Sequence, residues 1–343
     1  MDVELYVKNW RCIEEARVSL RPVTVFIGGN STGKSSLAYA AYFLAKISEP
    51  EWRDVNKVLA QLYGVSLDGV VRSDGARRFY PVIVEAGGAR FEAQSPDNAA
   101  TPNTKPWRDH YLLPSQRLSF LRLSQLIPKI REAMSKHPET RPFLALASSL
   151  FETLKTIPVM PPLYFFLEDL TKLYLGRGFV RRREMGIGTL VEEVMPLLSL
   201  IAYSYVDPFI TKLQLPLDLA PDGFADSAII EQFVDAARED SLLVIEEPEI
   251  HKNPITTINL VKHIAARAVE KKLTVVMTTH SDIAIKALLK AVEDKSLETQ
   301  HVAVYYFERS AENPWTRVRE LRVYEDGTIE ELPDVERVVS MLF

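Results

Sequence analysis

Alternation opens the chain. Val3, Leu5 and Val7 fall on one face and Glu4, Tyr6 and Lys8 on the other, the period of two expected of a half-buried strand. A second strand follows over Ala16–Leu20, and a third, Val23-Thr24-Val25-Phe26-Ile27, is apolar nearly throughout. The spacing then predicts a helix from about Ser35 to Ile47, stopping near Pro50. Residues 79–93 predict a hairpin around Gly87-Gly88, and a Pro-, Asn- and Thr-rich loop spans 95–106.

Beyond that loop the period lengthens. Leu118, Leu121, Ile127 and Ile130 recur at helical spacing, as do Phe143, Leu146, Leu150 and Leu154. Prolines at 158, 161 and 162 break the run, and Phe165-Phe166-Leu167 begins a further helix ending near Gly176. No a/d heptad persists, which excludes a coiled-coil arm. After about residue 240 strands and helices alternate again. Leu242–Ile245 is a buried-strand run, Pro254 opens a helix striped by Ile258, Val261, Ile264, Ala265 and Ala268, and Leu273–Met277 is the next strand. A meander over 302–307 and 319–330 turns at Asp326-Gly327. The expected division is an N-terminal lobe (1–105), a helical insertion (106–220) and a C-terminal lobe (221–343).

Between the third strand and the first helix stands Gly28-Gly29-Asn30-Ser31-Thr32-Gly33-Lys34-Ser35, a complete G-x-x-x-x-G-K-S phosphate loop in strand–loop–helix context. Its backbone N–H groups and the helix N-terminus suit phosphate oxygens, and Gly28, Asn30, Ser31, Thr32, Gly33, Lys34, Ser35 and Ser36 form the expected cradle. Lys34 reaches the β- and γ-phosphates, and Ser35 holds Mg²⁺. The strand at 242–245 runs into Glu246-Glu247-Pro248-Glu249, the form of a Walker B motif. One acid, Glu246, serves the metal; the next, Glu247, handles the proton of an attacking water. The following strand ends Thr278-Thr279-His280-Ser281, which places His280 as a γ-phosphate sensor.

Composition narrows the class. The chain has 343 residues, 47% hydrophobic and 25% charged, as in ordinary globular proteins. One cysteine, Cys12, excludes an intramolecular disulfide and suits a reducing compartment. No apolar run reaches membrane-span length and no signal peptide precedes the first strand, so a cytoplasmic location without membrane contact is expected. Residues 114–183 carry 12 Lys/Arg against 5 Asp/Glu, a local +7 within a net −5, leaving −12 elsewhere. Two readings stand: a face for a polyanion, or scattered solvated helix faces.

The order of motifs resembles the ABC-type ATPase heads of the SMC-like and OLD (overcoming lysogenization defect) families, above all predicted ATPases with EEPExHxxP after Walker B, matched by Glu246 to Pro254. Val7–Ile13 resembles their opening NFRSI strand, Tyr111–Arg117 their IPAER segment, and Asp326–Pro333 their closing hairpin. The resemblance implies an α/β P-loop NTPase fold: a mixed central sheet, an N-terminal antiparallel β part and a helical lobe insertion. It further implies ATP and Mg²⁺ as ligands, Glu247 as catalytic base and His280 as switch histidine. Arg11 is placed near the nucleotide and Gln116 as a Q-loop glutamine on nucleotide and metal, although a surface Arg and a helix-facing Gln explain the same residues.

Such heads dimerise with ATP held between one phosphate loop and the partner's Ser-x-Gly signature. The corresponding stretch here, Met185–Leu190, lacks Ser-x-Gly. Gly188 and Thr189 offer an N–H and a hydroxyl at an expected helix N-terminus, or are a glycine turn with an N-cap. The implied activity is an ATPase that forms an ATP-dependent homodimer and drives an effector protein, in DNA repair or phage defence, with DNA contact through the basic lobe. A non-hydrolysing ATP-gated switch is the alternative. A phosphotransferase fits less well, given the long gap between Lys34 and Glu246 and the Thr279-His280 step.

Overall fold

The structure, a computed structural model, describes residues 2–118, 162–174, 179–185, 188–195, 200–206, 214–216 and 220–330. The helices expected around Leu121–Ile130 and Phe143–Leu154 lie outside these residues, as does most of the basic segment.

In chain order the elements are β1 (Val3–Trp10), β2 (Ile13–Leu20), β3 (Val23–Gly28), α1 (Lys34–Ile47), α2 (Val55–Tyr63), α3 (Leu67–Val70), β4 (Val82–Ala86), β5 (Ala89–Ser95), β6 (Asn98–Ala100) and β7 (His110–Leu113). Then come α4 (Leu163–Tyr174), β8 (Phe179–Met185), β9 (Gly188–Met195), β10 (Leu200–Val206) and β11 (Gln214–Pro216). The chain continues through α5 (Asp222–Ala236), β12 (Leu242–Glu246), α6 (Pro254–Glu270), β13 (Thr274–Thr279), α7 (Asp282–Glu293), β14 (Val302–Glu308) and β15 (Arg317–Leu321).

A six-stranded sheet ordered β15-β14-β3-β13-β12-β7 forms the centre, parallel except for β15 at its edge. Alternation along each strand divides its side chains between two cores. Val25 and Ile27, Leu243 and Ile245, and Val275 and Met277 enter one core, packed with α5, α6 and α7. Phe26, Val244 and Val276 enter the other, packed with α1. That second core is closed by the antiparallel sheet β2-β1-β4-β5-β6. Helix α1 is thus covered on all sides and buries every residue from Leu37 to Ile47, which is why its sequence, Leu-Ala-Tyr-Ala-Ala-Tyr-Phe-Leu-Ala, lacks a polar stripe. At α6, Asn253 accepts from the Thr256 N–H and Pro254 occupies the first turn, as the sequence indicates.

The inserted region departs from an all-helical expectation. Residues 179–216 carry a second antiparallel sheet, β11-β10-β9-β8, with Met185 paired to Gly188 and Glu184 to Thr189. Gly188 and Thr189 therefore begin a strand, not a helix. Pairing on both sides of β9, together with β-branched Thr189, Val191 and Val194, outweighs the helical preference of Leu190 and Glu192-Glu193.

Candidate functional site

The parallel strands β3, β13 and β12 end level with one another, Ile27 beside Thr279 and Thr278 beside Glu246. Ligands of open α/β sheets bind outside such carboxyl ends. The phosphate loop leaves β3 at Gly28, whose φ is 149°. A Cβ there would stand 2.2 Å from the Phe307 carbonyl oxygen, so only glycine lets β14 pass this close. Gly33, at φ 103°, turns the chain into α1. The first turn of α1 contains no acid, leaving its positive N-terminal field unopposed. Lys34 folds back and donates to the carbonyls of Gly28 and Gly29, 2.7 Å each, while the Thr32 hydroxyl donates to the Gly29 carbonyl at 2.9 Å.

Glu246 ends β12 and is nearly buried. Its Oε2 accepts from the Tyr39 hydroxyl at 2.6 Å and the Ser115 N–H at 3.3 Å. Burial, reinforced by that carboxylate, pushes the Tyr39 hydroxyl pKa well up, keeping it a donor. Glu247 has φ 45° and its N–H donates to the Thr278 carbonyl at 2.8 Å. Its Oε1 lies 3.4 Å from Nδ1 of His280, a half-exposed side chain at the tip of β13. Glu249 fixes that tip, accepting from the Thr279 hydroxyl at 2.5 Å and the His280 N–H at 3.4 Å.

These elements border a cleft of about 520 Å³ lined by Asn30 to Ser36, Glu247 and Thr278, with Arg11 and Cys12 on the N-terminal side. The structure thus brings together the phosphate-loop residues, Arg11 and Glu247, with Glu246 and His280 adjoining. Arg11 has φ 52° and its guanidinium lies over the Tyr63 ring at 4.7 Å. Gln116 is exposed and does not line the cleft.

Sequence reasoning placed Arg117 at the end of the IPAER-like segment, next to Gln116, but assigned it no role. It is fully buried and donates to the Glu246 carbonyl at 2.6 Å, the Glu247 carbonyl at 3.3 Å and Asp226 at 2.6 Å. Lys252 donates to the same Asp226 oxygen. Burial would raise the Asp226 pKa, but Arg117 and Lys252 outweigh it and hold the carboxyl below its usual range. For Lys252, burial outweighs Asp226 and brings the ammonium down to about 8.

Among the described residues no group of three or more His, Cys, Asp or Glu side chains is placed to hold a metal. Magnesium needs no such cage: it takes one or two protein oxygens and otherwise uses water and phosphate. The Ser35 hydroxyl and the Glu246 carboxylate are hard oxygen donors of that kind, and the bonds from Tyr39 and Ser115 orient the carboxylate.

The AAA ATPase domain family matches residues 1–72. A solved SMC head bound to the C-winged helix domain of ScpA is similar, with a TM-score of 0.53 at 10% identity over 93% of this chain and 98% of that one. An SMC head with an extended coiled coil, bound to the C-terminal domain of ScpA derived from Pyrococcus furiosus, gives 0.52 at 10% identity over 99% and 98%. The chain has the fold of an SMC-type ABC ATPase head. A search of curated proteins returns no match. Among the described residues no helix is long and apolar enough to cross a membrane.

Proposed function

We propose that the chain is a Mg²⁺-dependent ATPase of the SMC-like and OLD type, in which ATP closes two heads and hydrolysis reopens them. The observation that carries this reading is the convergence of the phosphate loop, Glu246 and the Glu247–His280 pair at the ends of adjacent parallel strands. The loop N–H groups and Lys34 hold the β- and γ-phosphates. Ser35 and Glu246 hold the metal, which supplies charge neutralisation at the phosphate oxygens when bound. Glu247 takes a proton from water as the water oxygen attacks the γ-phosphorus; the bond to the β–γ bridging oxygen breaks, giving ADP and phosphate. His280 orients Glu247 and meets the γ-phosphate. Arg11 contacts the nucleotide. A metal or nucleotide contact by the exposed Gln116 rests on the resemblance alone, as does contact by Gly188 and Thr189 across a dimer.

The heads similar to this chain carry a bound ScpA domain, which supports a partner protein here. Contact with DNA through the basic segment, a cytoplasmic location, and a role in DNA repair or phage defence belong to the same reading. The three-lobe division 1–105, 106–220 and 221–343 is its structural frame. The test is the solution mass of Glu247→Gln with and without Mg-ATP. The expected result is a nucleotide-dependent doubling; an unchanged monomer that still binds ATP rejects the ATP-closed dimer.

One observation favours a second reading, a non-hydrolysing switch. Gly188 and Thr189 start a strand, so they do not present the helix N-terminus that a signature uses toward a γ-phosphate. Phosphate release by the wild type that Glu247→Gln abolishes selects the ATPase; ATP binding without release, with DNA present, selects the switch.

A further inference from the structure

The turn between β14 and β15, residues 309–316, reaches back over the phosphate loop. Arg309 donates to the Ser31 carbonyl at 2.9 Å, the Thr316 hydroxyl to the Thr32 carbonyl at 2.9 Å, and the Thr316 N–H to the Cys12 carbonyl at 2.8 Å. Between these anchors stands Trp315, part of whose surface lines the cleft beside Arg11, Val71 and Ser73. The other three tryptophans, Trp10, Trp52 and Trp107, are buried in the core; Trp315 alone is half-exposed.

Its ring is held in place. The Arg72 guanidinium lies 4.6 Å from the Trp315 centroid and 3.9 Å from that of Phe79. Arg72 is itself buried and fixed by Asn9 Oδ1 at 2.9 Å and Glu14 at 3.1 Å. Phe79 meets Trp315 edge-on, with centroids 6.3 Å apart. A ring braced in this way keeps its place at little further ordering cost when a flat ligand arrives. The cleft therefore combines the polar, cationic phosphate loop with an aromatic surface at Trp315, the two kinds of surface that a nucleoside triphosphate needs.

We propose that Trp315 is the nucleobase platform of this cleft, on which a purine ring stacks while the phosphate loop holds the triphosphate. The proposal rests on the nucleotide-binding reading above and adds the residue and force that select the base. Stacking scales with ring overlap and tolerates different edges, so the site favours purines over pyrimidines and discriminates weakly between adenine and guanine.

The test is equilibrium binding of ATP, GTP, CTP and inorganic tripolyphosphate to the full chain with Mg²⁺, in wild type, Trp315→Ala and Trp315→Phe, together with intrinsic fluorescence. In wild type, ATP and GTP bind more tightly than CTP and quench tryptophan emission, whereas tripolyphosphate leaves it unchanged. Trp315→Ala weakens ATP and GTP by about tenfold, brings them level with CTP and leaves tripolyphosphate within about twofold. Trp315→Phe retains the purine preference. Wild-type ATP affinity in Trp315→Ala overturns the proposal. So does an equal loss for ATP and tripolyphosphate, which would make the turn a brace for the phosphate loop. A wild type that binds neither ATP nor tripolyphosphate instead removes the nucleotide reading itself.

Discussion

Asp169 lies on α4 with its side chain out of solvent. Oδ2 accepts from the Tyr42 hydroxyl and the Leu112 N–H at 2.9 Å each, while Oδ1 is buried with no hydrogen bond among the described residues. Burial raises its pKa to about 7, against the pull of Lys46 and Lys172; in an unfolded chain it is about 3.9. Between about pH 4 and pH 7 the folded protein therefore holds a proton that the unfolded chain has released. Stability falls as pH rises through that window and levels off above it. The full shift corresponds to at most about 4 kcal/mol. Asparagine offers one oxygen to the same two donors and carries no charge. Asp169→Asn should therefore remove this component: urea unfolding at pH 5 and pH 8 should show a smaller loss than in wild type, by about 2 kcal/mol. An equally steep loss would refute the assignment.

At the scale of elements, Arg117 joins three of them. It follows β7, grips the two carbonyls at the end of β12 and pairs with Asp226 on α5. It does not itself line the cleft but bonds the carbonyl of Glu247, which does, so it acts by positioning the Glu246-Glu247 turn, which carries the left-handed φ of Glu247. Arg117→Ala leaves Asp226 with Lys252 and costs about 3 kcal/mol of stability. If the chain hydrolyses ATP, kcat should fall about tenfold while KM changes by no more than about twofold. Arg117→Lys should not restore kcat, because an ammonium cannot fork between the carbonyls and Asp226. A rise in KM with kcat intact would place Arg117 in binding instead. Why the sequence showed one half of this site and not the other is a matter of distance along the chain. The phosphate loop, the Glu246-Glu247 pair and the Thr279-His280 step are runs of consecutive residues on strands whose apolar pattern is local. Arg117 and Asp226 are 109 residues apart, and nothing local announces their meeting. The available signal was an arginine just past a strand, one residue after Gln116. Trp315 was similarly hidden, because a lone aromatic in a turn has no period. Strand β9 was misread because its partners β8 and β10, rather than its own residues, decide its conformation.

Across the whole molecule, α1 is a rod of about 20 Å that starts at the phosphate loop and ends against the inserted region. Near its end Lys46, fully buried, pairs with Glu49 at 3.3 Å and with Glu168 of α4 at 3.0 Å, and lies over the rings of Trp52 and Phe165. Lys172 reaches the same two acids at 3.4 and 3.3 Å. His110 adds no cation, because burial, with Lys46 and Lys172 nearby, lowers its pKa well below the usual value. Two lysines and two glutamates thus fasten α4 to the end of the helix whose beginning holds the phosphate loop. Lys46→Met keeps the packing volume and removes the central charge, leaving Glu168 with Lys172 alone. Amide exchange across 163–174 should then quicken, while tripolyphosphate binding at the far end of α1 persists. Because Lys46 and Glu168 share the network, Lys46→Met combined with Glu168→Gln should cost less than the two single changes added, with a coupling of about 1–3 kcal/mol in urea unfolding. Strict additivity, or exchange across α4 unchanged in Lys46→Met, would mean that apolar packing around Phe165 and Phe166 alone attaches α4. In that case the phosphate loop would have no charged link to the inserted region through α1.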